Sequence, residues 1–376
     1  MTFGKGRLRP TRIPKTWEAV TPEWMTAAIS SRHPDAVVKD AILLGKDDGT
    51  NRRARFRLTY LSGMGPEQVF LKAHAPGHRI VHLRNGNLFN EARLFKSGVP
   101  LAVDHPLVYK SIVDYLRLDF LLVMEDILKR GADPRDATRA MSVEQVAHGL
   151  RGLARLHSQY WGFSARTHPG LRWVKDWKPS NGWKAGLGRY IPIGLKRAAV
   201  ALPQEITKYP ATDVLDLWTH YVASLTQGPM TLLHGDAHIG NTYVLPNDDV
   251  GFLDWQVTRR GEWSQDVGYF LISALTEEDR RKSEADLLDE YRKTLRVPDD
   301  QRPSGDQMWA RYRATPIYGL AIWLSTLGTD GWQRSEISLT LCQRFSAAFM
   351  ELDTLQALKA VGRDKSSETR HGTSGH

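Results

Sequence analysis

Cysteine is nearly absent: Cys342 is the only one in 376 residues. A lone cysteine makes no disulfide within the chain and no multi-cysteine metal site. It suits a reducing compartment, so a cytoplasmic location is expected. Long apolar runs are missing too. No stretch nears the roughly 18 consecutive apolar residues of a membrane-spanning helix. Lys5, Arg7, Arg9, Arg12 and Lys15 are followed by no apolar signal-peptide core, and no membrane partner is expected. Zinc-finger spacings, basic repeats and RNA-binding aromatic motifs do not occur, so nucleic acid is not the expected partner. Some of the basic groups behind the net charge of +9 would favour an anionic ligand such as a nucleotide.

What is present is an ordinary globular composition, 41% hydrophobic and 25% charged, too long for one compact core. Thr21-Pro22-Glu23 reads as a helix start, with Thr21 as cap and Pro22 in the first turn. Strands are expected over 37–44, 51–60, 68–73, 107–113 and 118–124, and a helix over 87–97 ending at Gly98. In 51–60, Ala54, Phe56, Leu58 and Tyr60 alternate with Arg53, Arg55, Arg57 and Thr59, the signature of a half-exposed antiparallel strand. Beyond Met124 the pattern turns helical, first over 142–160. The expected fold class is α+β and bilobal, a small N-terminal antiparallel sheet with one helix and a larger, mostly helical C-terminal lobe. The expected divisions are an N-terminal lobe with its arm (1–124), a hinge (125–132), a C-terminal lobe (133–362) and a disordered tail (363–376).

One segment carries the chemistry. Leu232-Leu233 leads into His234-Gly235-Asp236-Ala237-His238-Ile239-Gly240-Asn241, and Thr242-Tyr243-Val244 leaves it. Further on comes Phe252-Leu253-Asp254-Trp255-Gln256. Two carboxylates and a carboxamide thus stand at the edges of short strands. Phosphoryl transfer needs such a set: one carboxylate to take a hydroxyl proton, another with an amide oxygen to hold Mg²⁺ against phosphates. Asp236 and Asn241 have the spacing of the Asp and Asn in a protein-kinase catalytic loop.

His234-Gly235-Asp236-x-His238-x-x-Asn241 with Asp254-Trp255-Gln256 resembles the aminoglycoside phosphotransferase/choline kinase superfamily. With Arg260-Gly261 and Asp266 behind it, the pattern is most similar to the ecdysteroid-kinase-like branch. Five fixed residue types match by chance in about 1 in 10,000 chains of this size. The resemblance implies a protein-kinase-like fold, ATP as donor, Asp236 as catalytic base, and Asn241 and Asp254 as Mg²⁺ ligands. It implies that Asp266 braces the loop. His234 is expected to hydrogen-bond the loop backbone, and His238 either to orient a ligand or to support the loop.

The nucleotide side is expected in the N-terminal lobe. Lys72, on the third strand, would contact the α/β-phosphates, and Glu91 on the following helix would pair with it. Gly49-Thr50-Asn51-Arg52 holds a single glycine, so it is neither a Walker loop nor a protein-kinase glycine-rich loop. Similar proteins often use Ser/Thr/Asn-rich loops there, which keeps Thr50 and Asn51 as candidates. Arg52 is open between a phosphate contact and a solvated position. Glu125 to Ile127 resembles the adenine-reading hinge, though its acids also suit a plain linker.

The acceptor is expected to be a small hydroxyl compound, a hydrophobic one among the candidates. Trp173, Trp177 and Trp183 would either line its pocket or pack the lobe. Aminoglycoside, choline-like and hydroxyacyl-CoA acceptors are alternatives, as is a nucleotide-binding module without catalysis. The acidic groups Glu277-Glu278-Asp279 and Glu284/Asp286 read as solvated helix faces. No Ala-Pro-Glu segment follows Asp254, which argues against a protein substrate. Oligomeric state is not legible.

Overall fold

A computed structural model describes residues 12–48, 51–75, 77, 83 and 85–361. Thr50, most of the N-terminal arm and the C-terminal tail lie outside the described residues. The chain divides into two compact units, one within Met1–Pro100 and His105–Ala132, the other within Leu101–Asp104 and Asp133–His376.

The first unit opens with helix α1 (Pro22–Ile29), whose cap Thr21 accepts the Trp24 N–H at 3.2 Å. Strands β1 (Val37–Asp48), β2 (Asn51–Ser62) and β3 (Gln68–His74) follow, then helix α2 (Asn90–Ser97), then β4 (Val108–Asp114) and β5 (Asp119–Glu125). All pairings are antiparallel, in the order β1-β2-β3-β5-β4. Helix α2 starts three residues later than the sequence pattern suggested and stops at Gly98, whose φ of 67° suits a residue without Cβ. The period of two sorts the sheet's faces. Ala54, Phe56, Leu58, Val69, Leu71, Leu121 and Val123 pack with Trp17, Met25 and Ile29 on one side. On the other, Phe120, Leu122 and Met124 pack with Leu88 and Ala92, with Phe70 against them. Lys72, two residues after Phe70, shares that second face.

In the second unit, strand β6 (Asp133–Pro134) precedes helices α3 (Val143–Gln159), α4 (Asn181–Ala198), α5 (Gln204–Thr207) and α6 (Ala211–Ser224). Short strands β7 (Thr231–Leu233), β8 (Thr242–Val244), β9 (Val250–Phe252) and β10 (Arg259–Gly261) form its centre. Helices α7 (Ser264–Ala274), α8 (Glu277–Thr294), α9 (Gly305–Ala314), α10 (Pro316–Gly328), α11 (Ser335–Glu351) and α12 (Thr354–Val361) complete it. β7 pairs with β10, and β8 lies between β6 and β9. Residues 101–104 belong here although their neighbours on both sides belong to the first unit. The Phe252 N–H donates to the Asp104 carbonyl at 2.9 Å, and the Tyr243 hydroxyl donates to the Asp104 carboxylate. Among the described residues, no helix is long and apolar enough to cross a membrane.

The acidic face expected on α8 is only half solvated. Glu284 is buried and accepts from Arg280 at 2.6 Å and from the Tyr312 hydroxyl at 2.8 Å. Helix α11 supplies the reason: its Glu351 reaches Arg280 from the far side, so the pair is enclosed instead of wetted. Burial of a charged group is tolerable only with such partners.

Helices α4 and α10 meet through glycine. A Cβ on Gly194 would lie 1.9 Å from the Leu324 carbonyl oxygen, and one on Gly328 would lie 2.1 Å from the Tyr190 carbonyl oxygen. Alanine at 194 would favour an isolated helix by about 1 kcal/mol. Here the clash prevails, and Gly194→Ala is expected to lower thermal stability by about 1–3 kcal/mol. A raised melting temperature would mean that the two helices do not meet at this point.

Candidate functional site

The loop from His234 to Asn241 leaves β7 and enters β8, and its shape is fixed by hydrogen bonds on every side. Gly235 has φ of +84°, and a Cβ there would sit 2.2 Å from the Val257 carbonyl oxygen. Only glycine fits both demands. Its peptide groups are held on both sides. The His234 and Gly235 N–H groups donate to the Asp266 carboxylate at 2.7 and 2.9 Å. The Gly235 carbonyl accepts from Gln265 Nε2 at 3.1 Å and from the Tyr318 hydroxyl at 3.3 Å. Burial, with Asp236 and Asp266 nearby, pushes the Tyr318 phenol well above its ordinary range, so it keeps its proton and donates.

Asp266 lies in the first turn of α7 and is fully buried. Its third partner is His157 of α3, with Nε2 at 3.3 Å, and His157 Nδ1 lies 2.8 Å from the Tyr291 hydroxyl. An ionised carboxylate only accepts, so His157 must carry its proton on Nε2.

His234 turns inward. Its Nε2 donates to the Leu253 carbonyl at 2.8 Å, which leaves Nδ1 to accept the Asp236 N–H at 3.2 Å. The ring lies 4.6 Å from that of Trp255. His238 caps the short turn Ile239–Asn241, its Nδ1 accepting the Gly240 N–H at 3.0 Å. The remaining nitrogen, Nε2, faces the Asp236 carboxylate at 3.9 Å, beyond hydrogen-bond reach. Burial first, and His234 second, pull the His238 imidazole down to about 3, so it is neutral at physiological pH. Trp323 and Tyr269 pack edge-on against it at 5.0 and 5.6 Å.

Asp236 itself is partly open, with 29% of its side chain exposed. The Asn241 amide nitrogen donates to its carbonyl at 2.9 Å and to its carboxylate at 3.1 Å. That orientation leaves the amide oxygen of Asn241 for another partner. Asp254 stands at the matching end of β9, since Thr242 pairs with Phe252 and the Leu253 N–H donates to the Asn241 carbonyl at 2.7 Å. Its φ of +58° is costly for a residue with a Cβ, about 1–3 kcal/mol. The clamps on either side hold it there: Leu253 by Asn241 and His234, Trp255 by the His234 ring. The donor set, a carboxamide oxygen and a carboxylate, is hard oxygen chemistry. It suits a Mg²⁺ ion that takes its other ligands from phosphates and water. Among the described residues, no group of three or more His, Cys, Asp or Glu gathers into an all-protein metal cage.

In the first unit, Lys72 and Glu91 meet: Nζ lies 2.6 Å from Oε2, with both side chains buried. Asn51 is buried at the start of β2, opposite His74. Arg52 is half-buried and already engaged. Its guanidinium donates to the His74 and Lys15 carbonyls at 3.0 and 2.8 Å and lies over Trp17. The Glu125 carboxylate accepts from the Leu107 N–H at 2.9 Å and from Arg130 at 3.1 Å. Ile127 is buried and opens the turn Ile127–Arg130. Among the tryptophans, Trp177 and Trp218 are core residues, while Trp173 and Trp183 are half-buried.

Residues 60–312, about two-thirds of the chain, match the family model described as "Phosphotransferase enzyme family". The chain belongs to that phosphotransferase family. This phosphotransferase is therefore an enzyme of phosphoryl transfer. No curated protein sequence matches it significantly. Its fold is similar to that of spectinomycin phosphotransferase APH(9)-Ia, solved in complex with ADP and spectinomycin. That match has TM-score 0.50 and 12% identity, covering 89% of this chain and 99% of that one. Weaker likenesses include choline kinase LicA from Streptococcus pneumoniae (TM-score 0.43, 15% identity, 87% and 98% covered). Another is the Plasmodium vivax ethanolamine kinase (TM-score 0.48, 12% identity, 83% of each chain).

Sequence reasoning missed Gln265, Tyr318, His157 and Tyr291. The first lies beside Asp266, a signal that was available. The others stand on helices far along the chain and have no motif of their own.

Proposed function

We propose that this phosphotransferase moves the γ-phosphoryl group of ATP to the hydroxyl of a small molecule, with Asp236 accepting the hydroxyl proton. The observation that carries this reading is the joint geometry of Asp236, Asn241 and Asp254. A half-open carboxylate is held by the Asn241 amide nitrogen, which leaves the amide oxygen for another partner, and a strained Asp254 follows the strand paired with the one that Asn241 enters. Asp236 holds its proton acceptor steady because the backbone around it is tied, the Gly235 N–H to Asp266 and its own N–H to His234. Neutral His238 adds no positive charge that would lower the basicity of Asp236. Asn241 Oδ1 and the Asp254 carboxylate would hold Mg²⁺, which when bound supplies neutralisation of phosphate charge.

The first unit is read as the nucleotide lobe. Buried Lys72, steered by Glu91, would contact the phosphates, and the backbone of residues 125–127 within a 125–132 hinge would read the adenine. The second unit is read as the catalytic and acceptor lobe. The narrower likeness to ecdysteroid-kinase-like proteins rests on Asp254-Trp255-Gln256, Arg260-Gly261 and Asp266.

The test is ADP release from Mg²⁺-ATP in the presence of pooled alcohols, with product masses read in parallel. An acceptor gaining one phosphoryl mass, and losing that gain when EDTA removes the metal, is the expected result. Nucleotide binding with no phosphorylated product would favour a binding module instead.

A further inference from the structure

Charge in the second unit is unevenly spread. From Arg166 to Arg197 the sequence holds eight Lys or Arg and one acid, Asp176, a net +7 in a chain whose whole excess is +9. Helix α8 shows what a neutralised charged surface looks like in the same unit. There Lys282 pairs with Glu278 at 2.5 Å and Lys293 with Asp289 at 2.7 Å. The basic segment has few such partners. Asp176 is engaged by Arg260 at 2.6 Å and Lys178 at 3.3 Å, and Arg197 pairs with Asp330 at 2.7 Å. Among the described residues, Arg166, Arg172, Lys175, Lys184, Arg189 and Lys196 are exposed and form no ion pair.

The segment is stitched to β10, the partner of the strand β7 that leads into the 234–241 loop. The Arg260 N–H donates to the Lys175 carbonyl at 2.9 Å, and the Trp177 N–H donates to the Arg260 carbonyl at 2.7 Å. Arg259, next in β10, pairs with Leu233 at the mouth of the loop. The Trp177 ring lies 6.0 Å from that of Tyr318, whose hydroxyl reaches the Gly235 carbonyl. Two ring layers therefore separate the backbone at Lys175 and Lys178 from the residue before Asp236. The buried Arg259 guanidinium adds a further positive charge, 5.9 Å from the Trp177 ring. Half-buried Trp183 lies 5.5 Å from Trp177 and brings a flat apolar face to the same place.

Exposed like charges with no acidic partner leave a positive potential over this segment, which acts over a Debye length, about 8 Å at physiological salt. They also repel a cationic ligand and attract an anionic one. We propose that the acceptor of this enzyme is an anionic alcohol, a small hydroxyl compound carrying a phosphate or carboxylate that the Arg166–Arg197 surface draws toward Asp236. The proposal rests on the phosphotransfer reading above. In the step itself the acceptor oxygen forms a bond to the γ-phosphorus and its proton passes to the Asp236 carboxylate. The bond from the γ-phosphorus to the β,γ-bridging oxygen breaks, and ADP leaves with the electron pair. The anionic group stays intact and serves only for recognition.

The test uses the full chain, Mg²⁺-ATP labelled at the γ-phosphate, and a low-mass metabolite extract separated into anionic, neutral and cationic fractions. Labelled product is expected from the anionic fraction alone. Raising salt to about 0.5 M, where the Debye length falls to a few ångströms, should raise the KM for that acceptor by about tenfold. The triple variant Arg172→Glu/Lys175→Glu/Lys184→Glu should raise it at least as far at low salt, with kcat and the KM for ATP little changed. The wild-type salt series needs no variant, so the proposal stays testable if the triple variant misfolds. Labelled product from the neutral or cationic fraction, or a KM that ignores both salt and charge reversal, overturns the anionic acceptor and leaves the kinase standing. No product from any fraction overturns the phosphotransfer reading itself, and this proposal with it.

Discussion

Asp236→Asn is expected to lower kcat by about 10²–10⁴-fold, the range for loss of a general base, with the fold intact. The two side chains have nearly the same shape. An asparagine oxygen can still accept the Asn241 amide proton that the carboxylate accepts at 3.1 Å. The backbone restraints on residue 236 do not involve the side chain, since its N–H donates to His234 and its carbonyl accepts from Asn241. What disappears is the ability to take up a proton. The KM for ATP should change little, because the residues read as nucleotide contacts lie elsewhere. Single-turnover kinetics with a phosphorylatable acceptor, beside a melting curve, separate the two effects. Wild-type turnover in this variant would remove Asp236 from the role of base.

Asp266 is the second residue whose loss should be large, and here the effect is on stability and activity together. Its buried carboxylate accepts from the His234 and Gly235 backbone and lies within reach of His157. Asp266→Ala strands all three donors without access to water. At about 1–3 kcal/mol for each buried group left unsatisfied, with partial relaxation, a loss of about 3–5 kcal/mol is expected. Asp266→Asn keeps one oxygen acceptor and should cost less. Because Gly235 sits at positive φ and is held through this carboxylate, the surviving folded fraction should also turn over poorly. A melting temperature within about a degree of wild type for Asp266→Ala would contradict the network as described.

Local signals in the sequence reported local structure well. The alternation in β2 put Ala54, Phe56 and Leu58 on the buried face, and Thr21 and Gly98 marked helix ends. The same logic set Lys72 on a strand and Glu91 on the next helix, nineteen positions apart, and they meet as a buried pair. The loop 234–241 and Asp254 were legible because their residue types and spacing are dense in polar groups between short apolar strands. What was not legible depends on partners distant in the chain. Periodicity says that one face of a helix is buried but not which helix covers it, so Glu284 read as solvated until α11 brought Glu351 beside Arg280. Arg52 likewise stayed open between two readings because nothing local reveals its contacts with the Lys15 carbonyl and the Trp17 ring. Tyr318 touches Gly235 across 83 positions, and no spacing rule encodes that contact.

Residues 101–104 have a consequence for how this protein could have been assembled or could be taken apart. They are covalently part of the stretch that builds the first unit, yet Asp104 completes the hydrogen bonding of Phe252 and Tyr243 in the second. A gene cut at the boundary after Ala132 would carry that short tract away with the wrong fragment. The downstream piece would keep its strands β8 and β9 but lose the acceptor for a buried tyrosine and a backbone donor. No single breakpoint yields two self-contained pieces. For recombination, domain exchange or split-reporter design, residues 101–104 have to travel with the second unit.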